Sequence, residues 1–255
     1  MRPLAFVDLE TTGATATQDR ITEIGIVEVD PDGSVREWQQ LVNPGVQISP
    51  FIEQLTGISN RMVASAPPFA DVAEAALNRL QGRLFIAHNA RFDYGFLRTE
   101  FKRLGIAFHA SVLCTVKLSR ALFPEHKKHN LDALIERHDL QAAARHRALA
   151  DAQLIHQFWQ KIHVDRGMEV VQSAIQALNP YPMLPEHLLA VMDELPDSPG
   201  RYRFLDVEEK LLYENAAKNI RKRVGNHFSG KTKTLREQAL IASIRHIQWE
   251  IQPNI

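Results

Sequence analysis

Two acidic residues near the start of the chain carry side chains that can bind metal ions. Asp8 and Glu10 end an apolar run. Because strand side chains alternate between faces, the two carboxylates are predicted to project from one face. Neighbouring carboxylates repel each other and need a cation, and Mg²⁺ and Mn²⁺ prefer such oxygen ligands. Taken alone, such a pair is more often a solvated strand end.

Two later segments contain further acids, each with a histidine. In the segment from His88 to Asp93 the carboxylate stands near a predicted helix start, where N-capping alone would explain it. His146 and Asp151 are five positions apart, which is about 140° on a helix. Both can reach one centre only if His146 lies in the loop before the helix and Asp151 lies on its second turn. Residues 142–145 are compatible with that loop.

The order of these motifs closely resembles that of the DnaQ-like (DEDDh) 3′→5′ exonucleases, the family of the proofreading epsilon subunit of DNA polymerase III. The resemblance covers roughly residues 3–165. It implies that Asp8, Glu10, Asp93 and Asp151 bind metal, and that His146 is the general base. The positions matching the lining of the family's terminal-nucleotide pocket are Leu9, Thr11, Leu55, Thr56, Asn89 and Phe92.

The chemistry implied by the resemblance is hydrolysis of a phosphodiester with two divalent ions, Mg²⁺ or Mn²⁺. Two such ions, about 4 Å apart, can activate water and stabilise the leaving 3′-oxygen. An imidazole can take the proton of the attacking water near neutral pH. The expected products are nucleoside 5′-monophosphates. All five chemical positions are intact, which predicts an active enzyme.

The patterning of the first 165 residues predicts an α/β fold. Strands alternate with helices, the first three strands form a meander, and a mixed sheet is expected. The resemblance implies its RNase H-like form, with helices flanking the sheet. The predicted strands are Leu4–Leu9, Ile21–Val29, Val35–Val42, Arg83–Ala87 and Ser111–Leu118. The predicted helices are Phe69–Leu80, Asp93–Leu104, Leu131–Arg137 and Arg147–Ile162.

The remaining chain divides into a helical connector, residues 166–194, and a small α+β module, residues 195–255. In that module a strand, a turn, a second strand and a basic helix are predicted. The module resembles the start of the UvrC-like GIY-YIG nuclease domain, and Tyr202, Tyr213 and Arg223, with Arg221 as the alternative helix arginine, match residues that assemble around phosphate. Asn215 replaces the family's glycine, and the metal-binding Glu lies beyond Ile255, so we expect either an inactive or a truncated module. A basic surface helix is the plain alternative.

Charge distribution supports this division. The 255-residue chain has no net charge, but residues 201–245 hold eleven Lys/Arg against five Asp/Glu. A basic segment of this kind favours nucleic acid as the partner. DNA is preferred over RNA because the attached module resembles a repair nuclease. A polymerase or repair complex is a further expected partner.

Other features of the sequence favour a cytoplasmic protein without a membrane segment. No apolar run approaches the roughly 18 residues of a membrane span, and Cys114 is the only cysteine. The alternative functions are an exoribonuclease of the same fold and a non-catalytic binding subunit of a polymerase or repair complex. The intact carboxylate set argues against the second.

Overall fold

Five strands in the N-terminal half of the chain form one mixed sheet. They are β1 (Leu4–Thr11), β2 (Ile21–Val29), β3 (Val35–Leu41), β4 (Leu84–Ala87) and β5 (Ser111–Cys114). Their order in the sheet is β3-β2-β1-β4-β5. The pairings of β1 with β2 and of β2 with β3 are antiparallel, whereas β4 is parallel to both β1 and β5. The predicted meander and mixed sheet are therefore confirmed.

Helices cover both faces of this sheet. The computed structural model describes residues 2–142, 145–179, 181–230 and 233–252. The helices of the N-terminal half are α1 (Pro50–Thr56), α2 (Asn60–Val63), α3 (Phe69–Leu80), α4 (Arg91–Arg103), α5 (Thr115–Leu122), α6 (Leu131–His138) and α7 (Ala148–Arg166). Helix α8 (Met168–Leu178) follows and contains the division between two compact units, residues 1–175 and 176–255.

Strand β1 lies at the centre of the sheet, and its two faces contact different layers. On one face, the Phe6 ring lies 4.8 Å from His156 and 6.0 Å from Trp159 of α7, measured between ring centroids. On the other face, Val7 and Leu9 belong to the main apolar core with residues of α3 and α4. Because side chains alternate along a strand, this arrangement directs Asp8 and Glu10 to the α7 face.

One strand prediction extended too far. Residues 111–118 were expected to form a single strand, but the strand ends at Cys114 and α5 begins at Thr115. The side chains of Thr115, Leu118, Ser119 and Leu122 are buried. Their spacing of three and four residues is that of a helix. The apolar run therefore contains two elements, and the helical period begins only in its second half.

The C-terminal unit contains a second, smaller sheet. Its strands β6 (Gly200–Leu205), β7 (Leu211–Ala217) and β8 (His246–Ile251) lie in the order β7-β6-β8 and are antiparallel. The other elements are a 3₁₀ turn at Glu186–Leu188, α9 (Leu189–Glu194), α10 (Ile220–His227) and α11 (Leu235–Ser243). The predicted strand, turn, strand and basic helix are confirmed. The described part of the chain contains no helix with both the length and the apolar character that crossing a membrane requires.

Candidate active site

The first carboxylates of the candidate site lie at the C-terminal end of β1. Asp8 pairs with Gly25 of β2, and Glu10 pairs with Glu23 in the same antiparallel register. Both acids are partly buried on the face that α7 covers. The predicted sharing of one strand face therefore agrees with the observed register.

Asp93 lies on the first turn of α4 and is 2% exposed. It is not the N-cap, because Ala90 occupies that position and makes no side-chain capping bond. The backbone N–H groups of Asp93 and Leu9 oppose the rise in the pKa of this carboxyl, which places it next to β1. Capping therefore does not explain Asp93, and its carboxylate is held against β1 beside Asp8.

The start of α7 is fixed to β2 by a buried acid. Glu23 is fully buried and accepts a hydrogen bond of 2.9 Å from the backbone N–H of Ala148, the first residue of the helix. The Arg147 guanidinium donates to both oxygens of the same carboxylate, at 2.6–3.2 Å. Gln39 donates to it at 2.7 Å. These bonds satisfy a helix-start N–H and fix the position from which α7 leaves the sheet.

Gly25 permits the close approach of this helix. A Cβ added to Gly25 would lie 2.2 Å from the carbonyl carbon of Ala148 and 2.3 Å from the nitrogen of Leu149. Both atoms are backbone and cannot move aside as a side chain would. The glycine therefore brings the first turn of α7, with Asp151, over Asp8.

His146 and Asp151 lie close together, as the binding of both to one centre requires. His146 is exposed and has a φ of 57°, so it lies before the helix in a left-handed backbone conformation. Asp151 is 5% exposed and lies on the first turn of α7, not on the second as predicted. Ligand atoms of Glu10, His146 and Asp151 lie within 4.8 Å of one another. Residues 143 and 144 of the predicted loop lie outside the described residues.

Burial and mutual repulsion disfavour the charged forms of the acids in the site. Burial raises the pKa of Asp8 well above its ordinary value, and Asp93, Asp151 and Glu10 raise it further. Burial also raises the pKa of Glu10 to about 8, with Asp151 as the next cause. The pKa of Asp93 rises to about 8, mainly through burial. Such a donor set fits divalent cations, which replace lost hydration and offset the repulsion between the acids.

Arg145 brings positive charge into this centre. Its guanidinium forms an ion pair with the Asp151 carboxylate and also contacts Asp132 of α6, at 2.8 Å and 2.9 Å. It opposes the rise in the pKa of both Asp8 and Glu10. The guanidinium thus neutralises part of the acidic centre.

An open cleft of about 250 Å³ lies beside the acidic centre, at the start of α4. Two of the residues predicted to contact nucleotide, Asn89 and Phe92, line it together with the loop that follows β1. Asn89 has a φ of 70°, so it adopts the left-handed conformation that asparagine tolerates better than most residues. The lining residues are Ala14, Ala16, Asn89, Arg91, Phe92, Gly95 and Phe96.

The other predicted nucleotide contacts lie elsewhere in this half of the chain. Leu55 is 46% exposed on α1. Thr56 is buried, and its hydroxyl donates to the Ile52 carbonyl at 2.9 Å. Leu9 and Thr11 are buried on β1, and Thr11 donates to the Gly13 carbonyl at 2.6 Å. None of these four residues lines the cleft.

The aromatic residues predicted in the C-terminal unit form one cluster. Tyr202 is fully buried, and its hydroxyl lies 2.7 Å from Nε2 of His227. Burial raises the pKa of Tyr202, and a hydrogen bond from Arg223 opposes the rise. The Tyr213 hydroxyl accepts a hydrogen bond of 2.8 Å from the amide of Asn215. The rings of Tyr202 and Tyr213 lie 6.1 Å apart, and both contact His227, so the two predicted tyrosines belong to one cluster.

Arg221 differs from Arg223 in its surroundings. It donates to the Met192 carbonyl at 3.1 Å and lies 3.3 Å from Asp197. Arg223 is exposed on the same helix. Arg223 lowers the pKa of Tyr202, and Arg221 joins α10 to the segment before β6.

Three residues of the site were not identified from the sequence. Glu23, Gly25 and Arg145 act through contacts between elements, and no local motif marks them. A charged residue within the apolar pattern of β2 was the available signal for Glu23. The glycine in that strand was the signal for Gly25, since an interior strand glycine often marks close approach of another backbone.

The mixed sheet and the acidic centre at the C-terminal end of its central strand define a nuclease fold of the RNase H-like class. The chain belongs to the exonuclease family, because the family model described as Exonuclease matches residues 5–158. A second model, described as UvrC-like GIY-YIG domain, matches residues 198–254. The chain thus contains an exonuclease-family domain, followed by a segment that matches a UvrC-like GIY-YIG domain.

Curated relatives share this exonuclease region. The PolC-type DNA polymerase III of Caldanaerobacter subterraneus subsp. tengcongensis is 35% identical over 172 residues, covering 68% of this chain and 12% of that protein. A proposed bifunctional exonuclease/endonuclease of Mycobacterium tuberculosis is 33% identical over 258 residues, covering 95% and 40%. The 3′-5′ exonuclease DinG of Bacillus subtilis is 39% identical over 150 residues, covering 58% and 16%. The chain spans 40% or less of the length of each of these relatives.

Two solved structures are similar to most of this chain. Exonuclease X, in complex with 5′-overhanging duplex DNA, is 27% identical with a TM-score of 0.53, covering 68% of this chain and 99% of that one. Escherichia coli exonuclease I in complex with a dT13 oligonucleotide, at 17% identity, has a TM-score of 0.62 and covers 80% of this chain and 48% of that one. The second likeness concerns the fold alone.

Proposed function

We propose that this chain removes nucleotides one at a time from the 3′ ends of DNA, releasing nucleoside 5′-monophosphates. The observation that carries the proposal is the convergence of four acids from β1, α4 and α7 at the C-terminal end of the central strand. The names of two similar proteins support this proposal. The DinG relative is called a 3′-5′ exonuclease, and Exonuclease X was solved with DNA.

In this proposal Asp8, Glu10, Asp93 and Asp151 hold two divalent ions, Mg²⁺ or Mn²⁺. Such ions, when bound, supply Lewis-acid stabilisation of the attacking and leaving oxygens. His146 stands at the exposed side of the centre and takes the proton from the attacking water. This role suits a side chain that solvent can reach.

The cleft beside the centre holds the terminal nucleotide. The face of Phe92 offers a stacking surface, and the Asn89 amide offers a donor and an acceptor for hydrogen bonds. The positive charge of Arg91 at the cleft suits a phosphate. Leu9, Thr11, Leu55 and Thr56 remain predicted contacts of the substrate.

The test is digestion of single-stranded DNA labelled at either end. We expect a 3′ label to be released as a mononucleotide and a 5′ label to yield a descending ladder, with Mg²⁺ or Mn²⁺ but not with EDTA. Asp8→Ala with Glu10→Ala should abolish both signals and leave the circular dichroism spectrum unchanged. Near-normal digestion by that double variant would refute the assignment. Faster digestion of a matched RNA would identify an exoribonuclease instead.

We further propose that the C-terminal unit binds nucleic acid without cutting it. In this proposal the chain consists of an exonuclease domain (residues 1–165), a helical connector (residues 166–194) and the C-terminal unit (residues 195–255). The Asn215 amide stands where the family has glycine and donates to the Tyr213 hydroxyl. The Tyr202 hydroxyl is bonded to His227. Both phenols are therefore engaged within the protein, while exposed Arg223 keeps its charge beside them.

A further inference from the structure

Arg145 contacts two acids that differ in burial and in whether they belong to the proposed metal centre. One of its partners, Asp151, is buried and belongs to the proposed metal centre. The other, Asp132, lies on α6 with a side chain that is 68% exposed, and it does not belong to that centre. The Arg145 side chain itself is 26% exposed. The guanidinium therefore joins the metal centre to an acid outside it.

The bridge bears directly on metal binding. Glu10, His146 and Asp151 offer ligand atoms close enough to share one ion, and the Asp151 carboxylate is the group that Arg145 pairs with. A guanidinium and a divalent ion are both attracted to that carboxylate, and repel each other at such short range. The two cations therefore compete for one ligand.

We propose that Arg145 is the counter-ion of the metal-free centre, and that an entering ion displaces it from Asp151 onto Asp132. This inference rests on the proposed metal centre. Asp132 already contacts two nitrogens of the guanidinium, at 2.8 Å and 2.9 Å, so Arg145 keeps an acidic partner after leaving Asp151. Since His146 follows Arg145 directly, the exchange occurs beside the proposed base.

This role predicts opposite effects on two measurable quantities. Loss of Arg145 removes a competitor, so metal should bind more tightly. Loss of Arg145 also removes positive charge from buried acids, so the metal-free protein should unfold more easily. A residue that merely supports the loop would behave differently, because its removal would weaken the fold and metal binding together.

The experiment uses the full chain and Mn²⁺ alone as the probe. Isothermal titration calorimetry would measure the Kd for Mn²⁺ of wild type, Arg145→Gln and the matched control Arg120→Gln, which changes an exposed arginine on α5. We expect the Kd of Arg145→Gln to fall by about three- to tenfold, which is less than a full charge-assisted hydrogen bond because the displaced guanidinium keeps Asp132 as its partner. In EDTA its Tm should fall below that of wild type, and its Tm gain with Mn²⁺ should be larger. The control should match wild type.

A second variant tests the displaced position. Asp132→Asn should weaken Mn²⁺ binding, because the displaced guanidinium loses its remaining acid. In the Arg145→Gln background the same change should have no effect on the Kd. An unchanged or increased Kd in Arg145→Gln would overturn the role of Arg145. Absence of Mn²⁺ binding in wild type would instead refute the metal centre on which the inference depends.

Discussion

At the scale of single residues, the site is built around acids that ionise unfavourably in the metal-free protein. The pKa of Glu10 and of Asp93 is raised to about 8, and the chief cause is burial. Ionising these groups at neutral pH therefore costs folding free energy, which a bound cation would recover. The centre is consequently less stable alone than with the ions that we propose it binds.

The first prediction is a pH dependence of this cost. A carboxyl with a raised pKa in the folded state adds stability below its unfolded pKa, near 4, and loses that stability as pH rises towards 8. In EDTA, Asp8→Asn with Glu10→Gln should therefore gain Tm relative to wild type as pH rises from about 4.5 to 8. Mn²⁺ should close the gap by stabilising wild type alone.

The measurement must compare the variant with wild type, because other groups also make the stability of both proteins depend on pH. His88 and His227, whose pKa values are lowered to about 4, add stability as pH rises towards 6.5 in either protein. Their contribution cancels in the difference between variant and wild type. A gap that stays constant or narrows with rising pH in EDTA would contradict the prediction.

The second prediction concerns His146. If it takes the proton from water, His146→Ala should lower turnover by about 10²–10⁴, whereas the exposed His126→Ala should not. The Kd for Mn²⁺ should change little, because the four acids remain. A fall in turnover below about threefold would show that His146 is not the base. A large loss of Mn²⁺ affinity would identify it as a ligand, since it lies within ligand reach of Glu10 and Asp151.

The sequence identified the acids but not the groups that hold them. Asp8 and Glu10 could be placed on one face because the period of a strand is local information. No role could be assigned to Arg145 and Glu23, because their partners Asp151 and Arg147 lie 6 and 124 residues away in the sequence. Whether these residues meet depends on where α7 packs on the sheet. Motif spacing shows which side chains can meet, whereas charge compensation requires the tertiary contacts.

At the scale of elements, the crossing of α7 over β2 decides whether Asp151 reaches Asp8. Glu23 holds the first backbone N–H of the helix, and Gly25 provides the room beneath it. The sequence predicted a helix over this segment from its apolar spacing. How closely α7 packs on the sheet could not be predicted, because it depends on the absence of a Cβ at Gly25 in β2.

The third prediction tests this close approach. Gly25→Ala would place a Cβ 2.2 Å from the Ala148 carbonyl carbon, so α7 must move outward. Overpacking of this kind costs roughly 1–3 kcal/mol. We expect a lower Tm, weaker Mn²⁺ binding and a loss of turnover greater than the loss of stability explains. Turnover above half of wild type would show that the approach is not needed.

Gly95→Ala is the matched control for this substitution. An added Cβ there meets nothing within 4 Å, and the residue lies within a helix. Replacing a helical glycine by alanine gains about 0.5–1 kcal/mol. Its Tm should therefore rise and its Mn²⁺ affinity should stay unchanged, so a general sensitivity to added methyl groups would be recognised.

At the scale of the whole molecule, a slightly acidic N-terminal half precedes a basic unit. Residues 201–245 carry eleven Lys/Arg against five Asp/Glu. Composition alone indicated this division. The small sheet and its aromatic cluster were anticipated only in part, since α11 and β8 were not predicted, although Thr234 and Glu237 at the start of α11 have the spacing of a capping box. Arg223 lies exposed on α10, where its positive charge is open to solvent.

The fourth prediction assigns a binding role to that arginine. Arg223→Ala should weaken the affinity for long DNA and reduce the slope of log K against log salt by about one, because one phosphate contact is lost. Arg236→Ala removes the same charge from an exposed site on α11 and should change the slope less. Turnover on short, saturating single strands should stay as in wild type. Equal effects of both changes would indicate general attraction only.

The same unit must also be tested for cutting, in a protein whose exonuclease is silent. Asp8→Ala with Glu10→Ala should bind closed circular duplex DNA in Mg²⁺ or Mn²⁺ without converting it to the nicked form. The physical reason is that the Tyr213 hydroxyl is engaged by Asn215 and the Tyr202 hydroxyl by His227. Nicking by this variant, lost on adding Tyr202→Phe, would show that the unit is an active endonuclease.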